Sequence, residues 1–228
     1  MKDVARMARH GLLVLTTLGA AGCSTVGSIS PLISDTDAQY DSLLVGAWQD
    51  SSGEVALIKA EEGGKPHGYS IVLIDHDGAA GHFRAVLGRV ANYRVLDLEP
   101  ERSKLSEVED GVYTGLLLSL HVPVFIDLTG TELRVRALDY DSLSQHLQRE
   151  PGAVAHVSID PAMSDKYVVL TAPTADVQEF FARYLSRAGV LGELGVWRRL
   201  RADSNGDRPR IRGRGPSRPR ALPGHSRH

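Results

Sequence analysis

The densest group of side chains that could do chemistry is Asp75, His76 and Asp77, with His67 and His82 nearby in the chain. Imidazole nitrogens and carboxylate oxygens at short spacing are the donors that a metal ion needs. The same two carboxylates, paired and buried, could divide acid and base roles between them. The spacing supports neither use. A calcium loop that begins Asp-x-Asp requires a further oxygen donor before its glycine and a glutamate six residues after it. Here Gly78 follows Asp77 directly, and Arg84 stands at the later position. Asp-Gly between two apolar runs is instead a hairpin-turn pair, and a solvated turn gives a carboxyl no reason to shift its pKa. No metal ligand is assigned. His121, within an apolar run and just before Val122-Pro123, fits a core group or a sheet-edge residue better than a catalyst. Gly-x-Ser-x-Gly, the phosphate and dinucleotide glycine motifs and His-Glu-x-x-His are absent, so no catalytic residue and no cofactor is assigned.

Cys23 is different, because its surroundings give it a task. It is the only cysteine, and it directly follows Leu18-Gly19-Ala20-Ala21-Gly22. Residues 1–10 carry Lys2, Arg6 and Arg9 against Asp3, and residues 11–21 are uncharged and mostly apolar. A basic start, a short apolar run and small residues at the end are the order of a secretory signal peptide. The run is too short for a spanning helix, which needs about 20 residues. The junction at Cys23 resembles the lipobox of bacterial lipoproteins, with Ala20 where that family usually has leucine. The resemblance implies that residues 1–22 are removed, that the Cys23 thiol carries a diacylglyceryl group and that its new amine is acylated. A plain secretory signal, with Cys23 an ordinary mature residue, is the alternative.

Two or more acyl chains make a stable anchor where one is marginal. The expected location is therefore the cell envelope, lipid-anchored and facing the periplasm. In this family an aspartate after the cysteine marks retention at the inner membrane. Ser24 stands there instead, which favours the outer membrane. A lone cysteine leaves no intramolecular disulfide.

Residues 24–42 are mostly small and polar and read as a flexible tether. Residues 43–200, about 160 in number, are long enough for one domain with a core. The chain's net charge is −2, but the last 28 residues carry +6 and residues 1–22 carry +2, which leaves −10 on residues 23–200. An acidic body argues against nucleic acid as a partner. Residues 201–228, rich in arginine, proline and glycine without an apolar period, read as a disordered basic tail.

The elements expected to position everything else are mostly strands. Glu54–Lys59, Gly68–Ile74, His82–Leu87, Tyr93–Leu98, Val112–Leu120 and Val122–Leu128 are short apolar or alternating runs with turn residues between them. A further alternating run starts at Leu133, and a charged loop is expected from Glu99 to Asp110. Pro123, which lacks an N–H, asks for a bend or an unpaired edge. In the second half a helix is expected after Ser142, with Gln145 completing a capping box. Val154–Ile159 and Lys166–Leu170 read as strands, followed by a helix capped by Thr174. On that helix Val177, Phe180, Phe181, Tyr184, Leu185 and Ala188 share one face, and Gly189 is the expected stop. The aromatic stripe reads as cover for a sheet. Gly195–Leu200 is the expected closing strand.

The fold class is therefore α+β and mostly antiparallel: a strongly curved meander sheet or small barrel with two packed helices in the C-terminal half. Gly46-Ala47-Trp48 resembles the Gly-x-Trp signature at the first strand of lipocalins and related calycins. The resemblance implies that Trp48 closes one end of a barrel against an arginine from the far end of the chain, which Trp197-Arg198-Arg199 could supply. Two helices and further strands depart from that family's single helix. The expected function is a non-catalytic binding or scaffolding module, its partner an envelope protein or small apolar ligand. The alternatives are a lipocalin-like carrier of a small apolar ligand, an adaptor that uses a sheet face, and an envelope hydrolase with an unrecognised site.

Overall fold

Alternation of apolar and polar side chains along a strand puts one set on a shared interior, and that is how most of this chain is built. The computed structural model describes residues 24–61, 68–101, 119–159 and 166–200. Strands β1 (Ser24–Ser28), β2 (Gly46–Gln49), β3 (Val55–Ala60), β4 (Gly68–Ile74), β5 (Ala80–Val90) and β6 (Tyr93–Pro100) come first. Then follow β7 (Val122–Thr129), β8 (Glu132–Arg136), α1 (Tyr140–Arg149), β9 (His156–Ile159), β10 (Lys166–Leu170), α2 (Thr174–Tyr184) and β11 (Gly195–Arg199).

β2 through β8 pair in chain order, and β11 lies between β8 and β2, which closes an antiparallel barrel of eight strands. Trp48, Ile58, Tyr69, Ile71, Leu87, Leu96 and Ile126 fill its interior as one buried cluster. The turn Ser42–Leu44 lies before the first barrel strand and puts Leu44 into the same cluster, fully buried. Closure leaves the barrel no free edge.

A second layer covers one side of the barrel. β1, β10 and β9 form a three-stranded sheet in which β1 runs parallel to β10. Val95 and Phe125, outward-facing on β6 and β7, share a core with Leu32, Ile33, Val168, Leu170, Phe180 and Phe181. β6 is therefore buried on both faces at its centre.

This layer corrects the tether expected over residues 24–42. Ser24–Ser28 pairs with Lys166–Leu170, Ser28 and His121 exchange backbone hydrogen bonds of 2.8 Å, and Leu32 and Ile33 are 0% and 3% exposed. The folded unit already includes residues 24–42, ahead of the expected start at 43. The composition suggested otherwise because the few apolar residues of this segment are spaced by serine, glycine and proline. Their partners lie far along the chain.

Smaller expectations also shift. Glu99 and Pro100 belong to β6 rather than to a charged loop, and pair with Arg84 and Phe83. The cap of α1 is Asp139, whose Oδ1 accepts the Ser142 N–H at 2.8 Å, so Ser142 is inside the helix. Thr174 does not cap α2; its hydroxyl donates to the Pro31 carbonyl at 2.7 Å. α2 ends at Tyr184, so Ala188 is not on it and Gly189, at φ +74°, serves the turn beyond. Pro123 pairs only toward β6, ahead of the point where β8 joins β7 at Phe125. Residues 1–23 with Cys23, His67, residues 112–118 of the expected Val112–Leu120 strand, and the tail 201–228 lie outside the described residues. Among the described residues no helix is long and apolar enough to cross a membrane.

Candidate functional site

The Asp75 group is a turn. Asp75 Oδ1 accepts the N–H groups of Asp77 at 2.9 Å and Ala79 at 2.8 Å, and Gly78 sits at φ +84° between β4 and β5. Its carboxylate holds the hairpin closed. His76 and Asp77 approach to 3.5 Å, but both side chains are exposed. His82 is on β5, opposite Val72. Among the described residues no three His, Cys, Asp or Glu side chains gather where a metal ion could sit.

At one end of the barrel Trp48 is fully buried, its Nε1 donating to the Leu44 carbonyl at 2.9 Å. Arg199, opposite Trp48 in the register of β11 and β2, places its guanidinium 4.3 Å from the Trp48 ring centroid. It also donates to the carbonyls of Val45, at 2.8 Å, and Leu43. Gly46 makes room for it: at φ +149°, a Cβ there would lie 2.3 Å from Arg199 Nη1. Inside the barrel, Tyr69 extends its hydroxyl to Asp41, accepting the backbone N–H at 2.7 Å. The segment Tyr40–Val45 thus lies over this end, tied down by hydrogen bonds.

The aromatic stripe of α2 is core. Phe180, Phe181 and Tyr184 are at most 2% exposed, and His146 of α1 stacks on Phe180 and Tyr184 at 5.9 and 5.2 Å. Arg187 donates to His146 Nδ1 at 2.8 Å. Burial, reinforced by this cation, lowers the His146 pKa below its ordinary value. Burial pushes the Tyr184 hydroxyl up to about 12.

The charged groups converge elsewhere, on the barrel's outer wall. A cleft of about 420 Å³ lies between the outward faces of β5 and β6, the segment 31–35 and the start of α2. Parity places its residues: Ala85 and Leu98 point inward, so Arg84, Asp97 and Glu99 point out. Asp97 is 2% exposed. Its Oδ2 accepts the backbone N–H of Leu32 at 2.7 Å and of Ile33 at 3.4 Å. His121, half-buried, presents Nδ1 to Asp97 Oδ2 at 3.2 Å and Nε2 to Glu99 Oε2 at 3.9 Å. The Nδ1 contact is an ion-pair approach rather than an aligned hydrogen bond. Burial alone would lower the His121 pKa, but Asp97 and then Glu99 outweigh it and hold it above its ordinary value.

Arg84 is fully engaged. It forks onto Glu61 with two bonds of 2.8 Å and reaches Glu99 Oε1 at 3.1 Å. Chemically the cleft holds one committed guanidinium, one imidazole clamped between acids and a surplus of carboxylate oxygen. It can hold a donor-rich or positively charged group.

No protein family, curated protein or solved structure matches this chain.

Of the charged cleft residues, the sequence singles out His121, as a core or edge group. It is an edge residue by its backbone, and its ring is a cleft residue. Asp97 shares the outward face of β6 with Val95 and Tyr93. An acid on an otherwise apolar strand was the signal that this face is covered and that something there needs an acceptor.

Proposed function

We propose that this chain is a lipid-anchored binding module of the cell envelope that acts without catalysis, and that its binding site is the cleft outside the barrel. The observation that carries the reading is the contrast between two spaces. The barrel's core is occupied by its own side chains, with Trp48, Tyr69 and Leu87 at most 1% exposed. The outer cleft instead brings Arg84, Asp97, Glu99 and His121 to one open place. Both ring nitrogens of His121 face carboxylates rather than a nucleophile, which suits binding better than hydrolysis.

The anchor is proposed from residues 1–22 and Cys23, with the outer membrane as the favoured location. Because β1 begins at Ser24, a lipid on Cys23 would be joined to the fold with no slack. The body would then rest at the membrane surface, held by its acyl chains despite its acidity.

A second reading, a lipocalin-like carrier of a small apolar ligand, is favoured by Arg199 over Trp48 in a closed barrel. The occupied core argues against it.

The test is to express the full chain in a bacterium with an outer membrane and measure intact and native masses of the extracted protein. A start at Cys23 with diacylglyceryl and acyl groups attached, and release from membranes in Cys23→Ala, is the expected outcome. A soluble product with an unmodified thiol would overturn the anchor. A reproducible non-covalent adduct that is lost in Glu99→Gln supports the cleft; one that is lost only on disturbing Trp48 would favour the carrier.

A further inference from the structure

The cleft contains a buried acceptor that no described residue satisfies. Asp97 lines the cleft and is 98% buried in complement to its 2% exposure, yet Oδ1 has no hydrogen-bond partner among the described residues. Its other oxygen is crowded, with two backbone N–H groups and the His121 ring. A buried carboxylate oxygen without a donor is costly, and a ligand N–H placed there removes the cost.

The charge of that ligand follows from its neighbours. Glu61 and Glu99 pair with Arg84, Asp97 and Glu99 face His121, and Asp35 lines the same cleft. Arg84 is already shared between two of these carboxylates, so among the described residues an arriving anion would find no uncommitted guanidinium there. A divalent metal fits poorly. Asp97 approaches Nδ1 of His121 and Glu99 approaches Nε2, so the two acids sit at different nitrogens of one ring, and among the described residues no three such groups gather around a metal position. An ammonium group needs only the carboxylates. Beside them Val86 and the edge of the otherwise buried Ile33 line the cleft, an apolar wall for a short stem.

We propose that the cleft binds a small organic cation: a primary amine on a short aliphatic stem, its N–H groups on Asp97 Oδ1 and Glu99 and its stem along Ile33 and Val86. The proposal rests on the cleft being the binding site, as argued above, and adds the class of ligand. The ammonium and a protonated His121 compete for Asp97 and Glu99. Arg84 and Asp35 face the same space. Binding therefore strengthens as His121 loses its proton, and the complex forms with proton release.

The test is calorimetric titration of the full chain, kept in detergent, with 1,5-diaminopentane. The neutral 1,5-pentanediol and the dianion glutarate are the controls of similar length. One-to-one binding of the diamine is expected, with the diol about tenfold or more weaker and glutarate not binding. Glu99→Gln should weaken the diamine about tenfold, while Asp77→Asn, in the exposed turn, should leave it unchanged. Asp97→Asn should do the same as Glu99→Gln; because Asp97 also holds the segment 31–35, Glu99→Gln is the deciding variant if Asp97→Asn unfolds. Diamine binding equal to that of the diol, unchanged in Glu99→Gln, or absent at about 10 mM would overturn the proposal. The two readings fail separately. A native-mass adduct that Glu99→Gln removes, alongside no diamine binding, overturns the cation and leaves the cleft. Diamine binding to a chain lacking acyl groups leaves the cation and overturns the anchor.

Discussion

The Asp97 carboxylate accepts the backbone N–H of Leu32 at 2.7 Å across 65 positions of sequence, so an acid on the barrel's outer wall holds the chain's first described segment in place. The Ile33 N–H reaches the same oxygen, and the Ile33 side chain packs where Gly88 presents none. One carboxylate thus builds the rim of the cleft and supplies its deepest acceptor.

Removing that carboxylate should cost more than removing its charge. Asp97→Ala leaves two N–H groups without their acceptor and is expected to lose about 3 kcal/mol. Asp97→Asn keeps one oxygen for Leu32 and should lose roughly half as much. Urea unfolding of the two variants measures the difference; an Asp97→Ala protein as stable as the parent would refute this role.

Gly88 should be intolerant of a single added methyl group. A Cβ there would stand 2.5 Å from Ile33 Cγ2 and 2.7 Å from Cδ1. Gly88→Ala is expected to cost about 1–3 kcal/mol by overpacking. Ile33→Ala in the same chain should recover part of that loss, so the double-mutant cycle should be clearly non-additive. Additive losses would mean that the two residues do not press on each other.

Stability should fall as His121 loses its proton. Its pKa is raised above the ordinary value of 6.5 by Asp97 and Glu99 acting against burial. A raised folded-state pKa stabilises fully below 6.5, and the contribution disappears as pH rises through the folded value. His146 works in the opposite sense, because burial and Arg187 lower its pKa and it adds stability as pH rises. The difference between the parent and His121→Gln isolates the first effect. Thermal unfolding from about pH 6 to about pH 8 should show the parent's advantage over His121→Gln shrinking with pH. A constant difference would exclude the ion pair.

Arg199 should matter to the barrel through its shape as well as its charge. It stacks 4.3 Å from the Trp48 centroid while donating to the carbonyls of Val45 and Leu43. Arg199→Lys keeps the charge but loses the planar fork, and is expected to destabilise by about 1–2 kcal/mol, with Arg199→Ala somewhat worse. Gly46→Ala, which thrusts a methyl group at Arg199 Nη1 and also strains the backbone at φ +149°, should produce at least a similar loss, of which the backbone part remains in the Arg199→Ala background. Trp48 fluorescence during unfolding would report all three. An unaffected midpoint in Arg199→Lys would reduce the fork to ornament.

What the sequence alone determined is local. Alternation in Glu54–Lys59, Gly68–Ile74 and Tyr93–Leu98, and Asp77-Gly78 between two runs, placed most barrel strands and one hairpin correctly. Strand period and turn chemistry act over a few residues, so they are written where they act. Tertiary structure decided what depends on distant partners. It closed the barrel through β11 and β2, and drew Ser24–Ser28 into a parallel pair with β10. It also made Asp139 rather than Ser142 the cap of α1, because Ser142 donates its hydroxyl to the Gly189 carbonyl instead. The cleft belongs wholly to this second kind. Arg84, Asp97, Glu99 and His121 lie on three separate stretches of chain, and each alone reads as an ordinary surface or edge residue. Only antiparallel register, which sets Arg84 opposite Glu99, and a second layer that buries Asp97 turn them into one site. The cause is physical: burial and charge proximity, which give these groups their chemistry, are properties of neighbours in space rather than in sequence.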